Sequence, residues 1–399
     1  MEQPYKKIQT WISPWFQQRI PFAIITGMIV GFLIVLFTAE GATTVTGRLG
    51  GDYPAFYGAG RIIAEGDWGN LYNLERQAEE QESLLGAGQL LYFAYPPFVA
   101  LPFGMLAKLD YRWSYLCYTV ILFCAFLLSI HLLRSLSPFV NRHYWLVVSG
   151  ALLFYPLAKA IGGSQNTSIT LLLLIGAWWG VVHDRPYLSG LLLGLLLYKP
   201  HFALPMIGLY LIAGYGRVVI GAAVAALSLY GVGAWMLGPH WLFQWAEMVS
   251  LFAAEDITAN GHQTVSWLGF ISALFGNTGG AVAAGIGCSI LTVIYLMWKW
   301  WRLKSTDLDL KMALAATGII LISPHTMFYD AALILITIVV LADRLGTDMG
   351  WRIPLLFLAG LGHYFAPIMG FSMVFFAVLA SGCWIIRVSP APRGWEQMG

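Results

Sequence analysis

Residues 21–39 read PFAIITGMIVGFLIVLFTA, an apolar stretch that holds no charged side chain. As an α-helix it approaches the ~20 residues needed to cross a hydrocarbon core of ~30 Å. Residues 218–237 and 281–301 form runs of similar length and composition. Because a membrane-crossing backbone must satisfy its own hydrogen bonds, these runs predict transmembrane α-helices.

The composition agrees with a membrane protein. Of the 399 residues, 58% are hydrophobic and 11% are charged, and the mean hydropathy is +0.70. Soluble domains carry about 25% charged residues, so a water-soluble fold is excluded. The formal net charge is +2 and no basic block or acidic tail is present. We therefore predict no nucleic-acid partner.

The cysteines give no sign of metal or redox chemistry. All four lie inside apolar segments, and none forms a Cys-x-x-Cys or Cys/His pair. This pattern favours thiols in the core over zinc ligands or disulfides. The sequence also lacks a phosphate-binding loop and a nucleophile elbow.

Charges on either side of residues 21–39 predict the orientation of the chain. Lys6, Lys7 and Arg19 precede the run, which is longer than the apolar region of a signal peptide, so we expect a retained anchor. Positive-inside asymmetry predicts a cytoplasmic N-terminus and an outer loop after the run. That loop carries Glu40, Asp52, Glu65, Asp67, Glu75, Glu79, Glu80 and Glu82 against three arginines.

The predicted fold is an all-α integral membrane bundle of about twelve transmembrane helices with interfacial helices in its outer loops. We predict one membrane domain over residues 21–387, with outer loops 40–94 and 238–265, between cytoplasmic segments 1–20 and 388–399. Residues 95–106 contain three prolines and are predicted to re-enter or to lie in the interface. After the first span, the predicted spans are 113–133, 144–160, 167–182, 187–198, 202–214, 218–237, 281–301, 310–322, 328–341, 354–365 and 370–386.

This topology gathers the polar residues on one side of the bilayer. Most basic residues fall at the inner connections, although Lys108 and Arg112 fall outside. Convergence of Asp, His, Lys, Gln and Asn at the outer interface is typical of a functional site. The outer connections are residues 40–94, 162–166, 199–201, 238–265, 323–325 and 363–367.

Asp52 is the main candidate in the first outer loop. It precedes a predicted interfacial helix that displays Tyr53, Phe56, Tyr57 and Ile63. Asp52 either caps this helix or accepts a proton beside the membrane surface. Tyr57 is a candidate for substrate contact on the same helix.

Three basic or imidazole side chains lie at breaks between spans. Lys199 and His201 flank Pro200, and His325 follows Pro324. Free N–H groups at helix ends together with a cation suit a phosphate. The alternative is that each cation extends to the interface without binding a ligand.

Two further polar groups complete the candidate set. In the break at residues 162–166, Gln165 and Asn166 are candidates for substrate binding. In the second outer loop, His262 and Gln263 follow a predicted helix with periodic aromatic residues. The latter pair either forms a capped turn or lies over a sugar or phosphate. Glycine pairs at 27/31 and 190/194 indicate close helix packing.

Five short motifs follow one another along the chain. They are Asp52-Tyr53, Tyr95-Pro96-Pro97, Gly162-x-x-Gln165-Asn166, Tyr198-Lys199-Pro200, and Ser323-Pro324-His325 with Tyr329-Asp330. In this order they resemble glycosyltransferase family 87 over roughly residues 52–330. Asn260, followed by Gln263 and Thr264, departs from the Asn-Gln-Ser expected in this family.

The resemblance implies a GT-C fold and inverting transfer of a sugar, mannose, from a polyprenyl monophosphate to a lipid or glycan hydroxyl. It implies a site on the outer face of a bacterial-type cytoplasmic membrane, with no nucleotide sugar, metal or cofactor. The family's catalytic carboxylate falls on Asp52 as general base, and its late histidine falls on His325 beside the donor phosphate. Lys199, His201 and Gln165 match motif positions.

Three rival functions differ in testable ways. A transporter or flippase for a lipid-linked sugar should show internal repeats and ionisable groups near the midplane, and neither is evident here. A polysaccharide ligase would share the outer loops and differ only in substrate. A structural scaffold would explain neither Asp52 nor the cations at the breaks.

Overall fold

The structure is a computed structural model that describes residues 14–44 and 47–388. It is 80% helical with almost no strands, so the predicted all-α membrane class is confirmed. The predicted cytoplasmic segments 1–20 and 388–399 lie outside the described residues, except for residues 14–20 and 388.

The described chain folds into α-helices joined by short turns and 3-10 helices. Two short strands, β1 (Thr43–Thr44) and β2 (Gly47–Arg48), pair as an antiparallel hairpin. The α-helices are α1 (Pro14–Thr38), α2 (Tyr53–Ala64), α3 (Leu74–Leu85), α4 (Ala100–Leu106), α5 (Tyr111–Leu133), α6 (Pro138–Arg142), α7 (Tyr144–Leu153), α8 (Tyr155–Gly162), α9 (Thr167–Val182), α10 (Pro186–Leu195), α11 (Pro200–Ile212), α12 (Gly216–Leu237), α13 (Trp241–Asn260), α14 (Trp267–Phe275), α15 (Gly279–Arg302), α16 (Leu308–Ile322), α17 (Leu335–Leu345), α18 (Arg352–Gly362), α19 (Ala366–Met369) and α20 (Val374–Val388). The 3-10 helices are Trp68–Asn70, Pro97–Val99, Leu196–Tyr198, Gly261–Gln263, Ser305–Asp307, Phe328–Ile334, Gly346–Met349 and His363–Phe365.

Fewer helices are long enough to cross a membrane than the sequence predicted. Among the described residues, 5 helices have the necessary length and apolar composition, or up to 6 if a bent pair counts as one span, so the prediction of twelve is not confirmed. The 5 are Arg19–Thr38, Tyr111–Leu133, Gly216–Leu237, Gly279–Arg302 and Arg352–Met369. Shorter apolar helices are Pro97–Leu106, Thr167–Val182, Pro186–Tyr198, Pro200–Ile212 and Val374–Val388.

The predicted span 144–160 is broken in two. Helices α7 and α8 meet at Phe154 with a bend of 77°. Pro156, in the first turn of α8, has no N–H to donate back to Leu152, so one straight helix cannot continue through this point. The predicted span is therefore a bent pair of helices and not one straight helix.

The chain between α1 and α5, which contains α4, ends beside its starting point. Helix α4 has 7 residues and is much too short to cross a bilayer. At the ends of the segment, the Arg112 side chain donates to the carbonyl of Ala39 at 2.7 Å, so the start of α5 lies beside the end of α1. Re-entry of residues 95–106, or their location in the interface, stays a prediction.

A second loop region lies on the same side. The Trp245 indole in α13 donates to the carbonyl of Ala94 at 3.0 Å, and the hydroxyl of Tyr92 donates to Glu255 at 2.5 Å. We call residues 39–110 and 238–266 together the loop face.

Close helix packing occurs at one of the two glycine pairs. A Cβ added at Gly190 in α10 would collide with the backbone of α12 at Val218 and would lie 2.8 Å from the Cα of Gly221. Gly194 likewise faces α12. In α1, no atom lies within 4 Å of the Cβ positions of Gly27 and Gly31, so the predicted packing role of that pair is wrong for the described chain.

Candidate active site

A glycine turn brings Asp52 against the break between α8 and α9. Gly50 and Gly51 have φ angles of +80° and +58°, which glycine adopts without the strain of a side chain. A Cβ on Gly51 would lie 3.0 Å from the Cα of Gly163, so the two backbones are in direct contact. This approach places the Asp52 carboxylate beside Gln165.

Asp52 stands at the N-cap position of α2 but does not cap it. Its side chain makes no hydrogen bond to the α2 backbone. Instead the Gln165 amide donates to Asp52 Oδ2 at 2.6 Å. Of the two roles considered from the sequence, capping therefore does not account for Asp52.

The surroundings of Asp52 favour proton acceptance. Burial among the neighbouring elements raises the pKa of its carboxyl, because loss of water disfavours the charged form. The hydrogen bond from Gln165 and the charge of Arg48 oppose this rise, and the charge of Asp256 adds to it. The residue as a whole still has exposed surface.

Lys199 is held in a buried ion pair. Its Nζ lies 2.8 Å from Asp330 Oδ1, and the two side chains are 6% and 5% exposed. The hydroxyl of Thr167 donates to the same oxygen at 2.8 Å. The charge of Lys199, which the sequence suggested for a phosphate, is thus balanced by Asp330.

His325 contacts one acidic and one aromatic side chain of α13. Its Nδ1 is 3.4 Å from Asp256 Oδ2, and its ring meets the ring of Phe252 edge-on at 5.3 Å. Asn260 donates to the other oxygen of Asp256 at 2.7 Å. Gln263, a predicted site residue, donates in turn to Asn260 at 2.8 Å.

These groups form one electrostatic cluster. Tyr329 interacts with the charges of Asp330, Asp52 and Asp256. His201 interacts with Lys199, Asp330 and His325. The structure therefore brings together most predicted site residues at one end of the helices, namely Asp52, Gln165, Asn166, Lys199, His201, Gln263 and His325.

Two predicted residues are used differently. The hydroxyl of Tyr57 donates to the carbonyl of Leu109 at 3.0 Å, and its ring packs on Tyr53 and Tyr111. It thus fixes α2 against the start of α5. His262 has an electrostatic interaction with His363 and no hydrogen bond from its side chain to the cluster among the described residues.

Sequence reasoning did not select several residues of the cluster. Asp256 is a carboxylate in an apolar segment, and that contrast was the available signal. Asp330 and Tyr95 were named only as parts of the Tyr329-Asp330 and Tyr95-Pro96-Pro97 motifs. In the structure the Tyr95 hydroxyl interacts with the Asn166 side chain and with the charges of Asp330 and Asp52.

Several polar atoms around the cluster are buried without a protein partner. Such atoms are costly unless a ligand or water satisfies them. They include Asn166 Oδ1 and His201 Nε2, and the hydroxyls of Ser164, Ser168, Ser323 and Thr326.

An apolar groove leads from the cluster along the side of the helices. It has a volume of about 620 Å³, in the range of ligand pockets. Its walls come from α11, α14, α15 and the end of α16, and several wall residues, such as Leu204, Ile286 and Ile290, are exposed. One end is formed by His201, Ser323 and Pro324. We call this feature the lateral groove.

No three of the described His, Cys, Asp and Glu side chains converge in an arrangement that could hold a metal ion. That the protein uses no metal stays a prediction.

Apolar helices with a cluster of carboxylates, imidazoles and amides at one end define an all-α membrane protein with a polar site at its loop face. A family model described as glycosyltransferase family 87 matches residues 93–324, more than half of the chain, and the chain belongs to this family. It is a membrane glycosyltransferase. Asp52 lies well before the matched residues and His325 directly follows them, so the roles of both stay predictions. Neither a curated protein nor a solved structure matches the chain.

Proposed function

We propose that this glycosyltransferase moves mannose from a polyprenyl monophosphate to a hydroxyl of a lipid or glycan acceptor, with inversion at the anomeric carbon. Asp52 is the general base, and His325 contacts the donor phosphate. The reaction takes place on the outer face of a bacterial-type cytoplasmic membrane and uses no metal. Both termini of the protein lie in the cytoplasm.

The lateral groove is the observation that carries this proposal. A polyprenyl phosphate has a tail that belongs in the hydrocarbon and a charged head that does not. The groove has apolar walls, and its end at His201 and Ser323 holds buried polar atoms without partners. A tail in the groove would therefore bring the phosphate to the cluster.

The chemistry requires opposite groups on the two sides of the sugar. As the acceptor oxygen bonds to the anomeric carbon, Asp52 takes its proton, and the bond from that carbon to the phosphate oxygen breaks. The leaving phosphate gains negative charge, which nearby donors stabilise. A raised pKa makes Asp52 a better base near neutral pH, because a general base works best when its pKa is close to the pH of the reaction.

Lys199 has a different part in the proposal from the one suggested by its sequence motif. Since Asp330 balances its charge, we assign the phosphate contacts to His325, His201 and the hydroxyls of Ser323 and Thr326. Lys199 holds the start of α11, and with it His201, against the 3-10 helix that carries Asp330.

The proposal is tested with the purified protein in proteoliposomes, supplied with radiolabelled polyprenyl-phosphate mannose and a lipid extract. Transfer should occur with this donor, fail with a nucleotide sugar and continue in EDTA. Asp52→Asn should lower the rate by about 10²–10⁴-fold, the usual contribution of a general base, while donor binding persists. Glu40→Gln, in the same loop, is the matched control.

Undiminished transfer by the Asp52→Asn protein would rule out Asp52 as the base. Movement of the labelled lipid across the bilayer without any glycosylated product would instead support the alternative, a flippase for lipid-linked sugars.

A substitution in the lateral groove tests the donor class separately. Ile290→Trp would fill the groove, so we expect the donor KM to rise with little change in kcat. The neighbouring Leu291 is 68% exposed and does not line the groove, so Leu291→Trp is the control. An equal effect of both variants would show that the tail binds elsewhere.

A further inference from the structure

Helix α13 presents three side chains to the break that carries His325. Phe252, Asp256 and Asn260 are spaced four residues apart and therefore lie on one face of the helix. Phe252 packs edge-on against the imidazole, and Asp256 lies beside its Nδ1. Phe252 and Asp256 thus contact the imidazole at two different places, the ring and Nδ1.

Asp256 is itself held in place. It is 8% exposed, and a buried carboxylate is costly unless its oxygens are bonded. One oxygen accepts from Asn260 at 2.7 Å and the other lies 3.4 Å from His325. Gln263 then holds Asn260 through its side-chain oxygen at 2.8 Å. The result is a chain from Gln263 through Asn260 and Asp256 to the imidazole.

We propose that Asp256 is a positioning residue that orients His325 for the donor phosphate. Asp256 accepts from Nδ1–H of the imidazole and fixes the ring with Nε2 toward the phosphate, and in the imidazolium form Nε2–H donates to the phosphate oxygen. This proposal rests on the proposed function, and it assigns a role to a residue outside the five sequence motifs.

Exposure and contacts distinguish Asp256 from the proposed base. Both oxygens of Asp256 are engaged, and little of the residue is open to an acceptor hydroxyl. Asp52 has exposed surface, and one of its oxygens accepts a hydrogen bond from Gln165. Asp256 therefore acts through His325 and does not take the acceptor proton.

The surrounding charges fit this role. His325 faces Asp256 on α13 and His201 on α11. A distance of 3.4 Å is long for a hydrogen bond, and such contacts commonly tighten when the substrate binds.

A double-mutant cycle of Asp256→Asn and His325→Ala tests whether the two residues act together. Asp256→Asn alone should lower kcat by about 10–100-fold, as when an outer partner of a functional histidine is removed. In the His325→Ala background it should change kcat less than about twofold, since the residue through which it acts is gone. Equal losses in both backgrounds would overturn the proposal.

Glu255→Gln is the matched control, because it changes the adjacent residue of α13, whose partner is Tyr92 outside the cluster. It should leave kcat near the wild-type value. Monodisperse size-exclusion profiles establish that each variant is folded.

A second measurement does not depend on turnover. Diethyl pyrocarbonate modifies the neutral imidazole, and mass spectrometry gives the modification rate of His325 at fixed pH. We expect Asp256→Asn to raise this rate several-fold and Glu255→Gln to leave it unchanged. An unchanged rate in Asp256→Asn would overturn the positioning role. Absence of transfer by the wild-type protein would refute the proposed donor while leaving this result interpretable.

Discussion

The side-chain amide of Gln165 controls how readily Asp52 holds a proton. Its hydrogen bond stabilises the carboxylate and lowers the pKa of Asp52, against the larger rise that burial produces. A general base must be deprotonated, so the proposed role of Asp52 predicts that the transfer rate falls as the pH drops below its pKa.

Gln165→Leu should therefore move the acidic limb of the pH–rate profile to higher pH. The profile of kcat/KM reports this pKa for the free enzyme. Gln89→Leu, at an exposed loop position, should leave the profile unchanged. An acidic limb that stays in place would mean that Asp52 does not act as the base.

The buried pair Lys199–Asp330 makes a second prediction. Removal of one partner leaves a buried charge uncompensated, which typically costs about 3–5 kcal/mol. We expect Lys199→Met or Asp330→Asn to lower the unfolding temperature in detergent clearly. Asp309→Asn breaks a more exposed pair with Arg344 and should cost at most about 1 kcal/mol. Similar losses at the two sites would contradict this.

Residue types and breaks in the sequence predicted most members of the cluster, but not their partners. Lys199 and Asp330 are separated by 131 positions, and a contact over that distance leaves no local pattern. Asp256 belongs to a helix whose aromatic spacing predicted an interfacial element, and its contact with His325 depends on how α13 packs. Partner residues therefore required the structure.

At the scale of elements, the contact between α10 and α12 depends on glycine. Gly190 leaves no room for a side chain beside the backbone of Val218 and Gly221, so Gly190→Ala should force the helices apart. We expect a clear drop in unfolding temperature. Gly231, also in α12, has nothing within 4 Å of its Cβ position. Gly231→Ala should be neutral or slightly stabilising, since alanine favours helix. A neutral Gly190→Ala would show that the helices adjust.

The positions of helices were predicted well and their continuity less so. Apolar runs located α5, α9, α12 and α15 within a few residues, because hydrophobic length is a direct signal. The bend at Phe154 was missed, since one proline can either kink a span or begin a new helix. The 3-10 helix Phe328–Ile334 was also missed, as 328–341 was predicted to be one span.

For the whole molecule, the predicted orientation can be checked by labelling. In a cysteine-free protein, Ser83→Cys reports on the loop face and Ser135→Cys on the connection after α5; both serines are exposed. An impermeant maleimide added to intact cells should label position 83 only, and position 135 should react after permeabilisation. The reverse pattern would place the cluster in the cytoplasm.

The gathering of polar residues at one end of the molecule was predictable from alternation of charge along the chain. Asp52, Gln165 and His325 lie at connections that the predicted topology placed on one side, and the structure brings them into one cluster. The predicted number of spans was less secure, because short helices such as α10 and α11 satisfy a hydropathy criterion without the length to cross.

Those short helices bear on how the protein is made. Helix α11 has 13 residues, which extend only about 20 Å, and α10 is shorter still. Neither can be released into lipid alone as it leaves the ribosome, because polar groups at its ends would remain in hydrocarbon. Both should stay beside the insertion machinery until α12 emerges and pairs with α10 through the glycine contact. The cluster would then assemble only after synthesis of α15, which forms a wall of the lateral groove, and of the loop that contains His325.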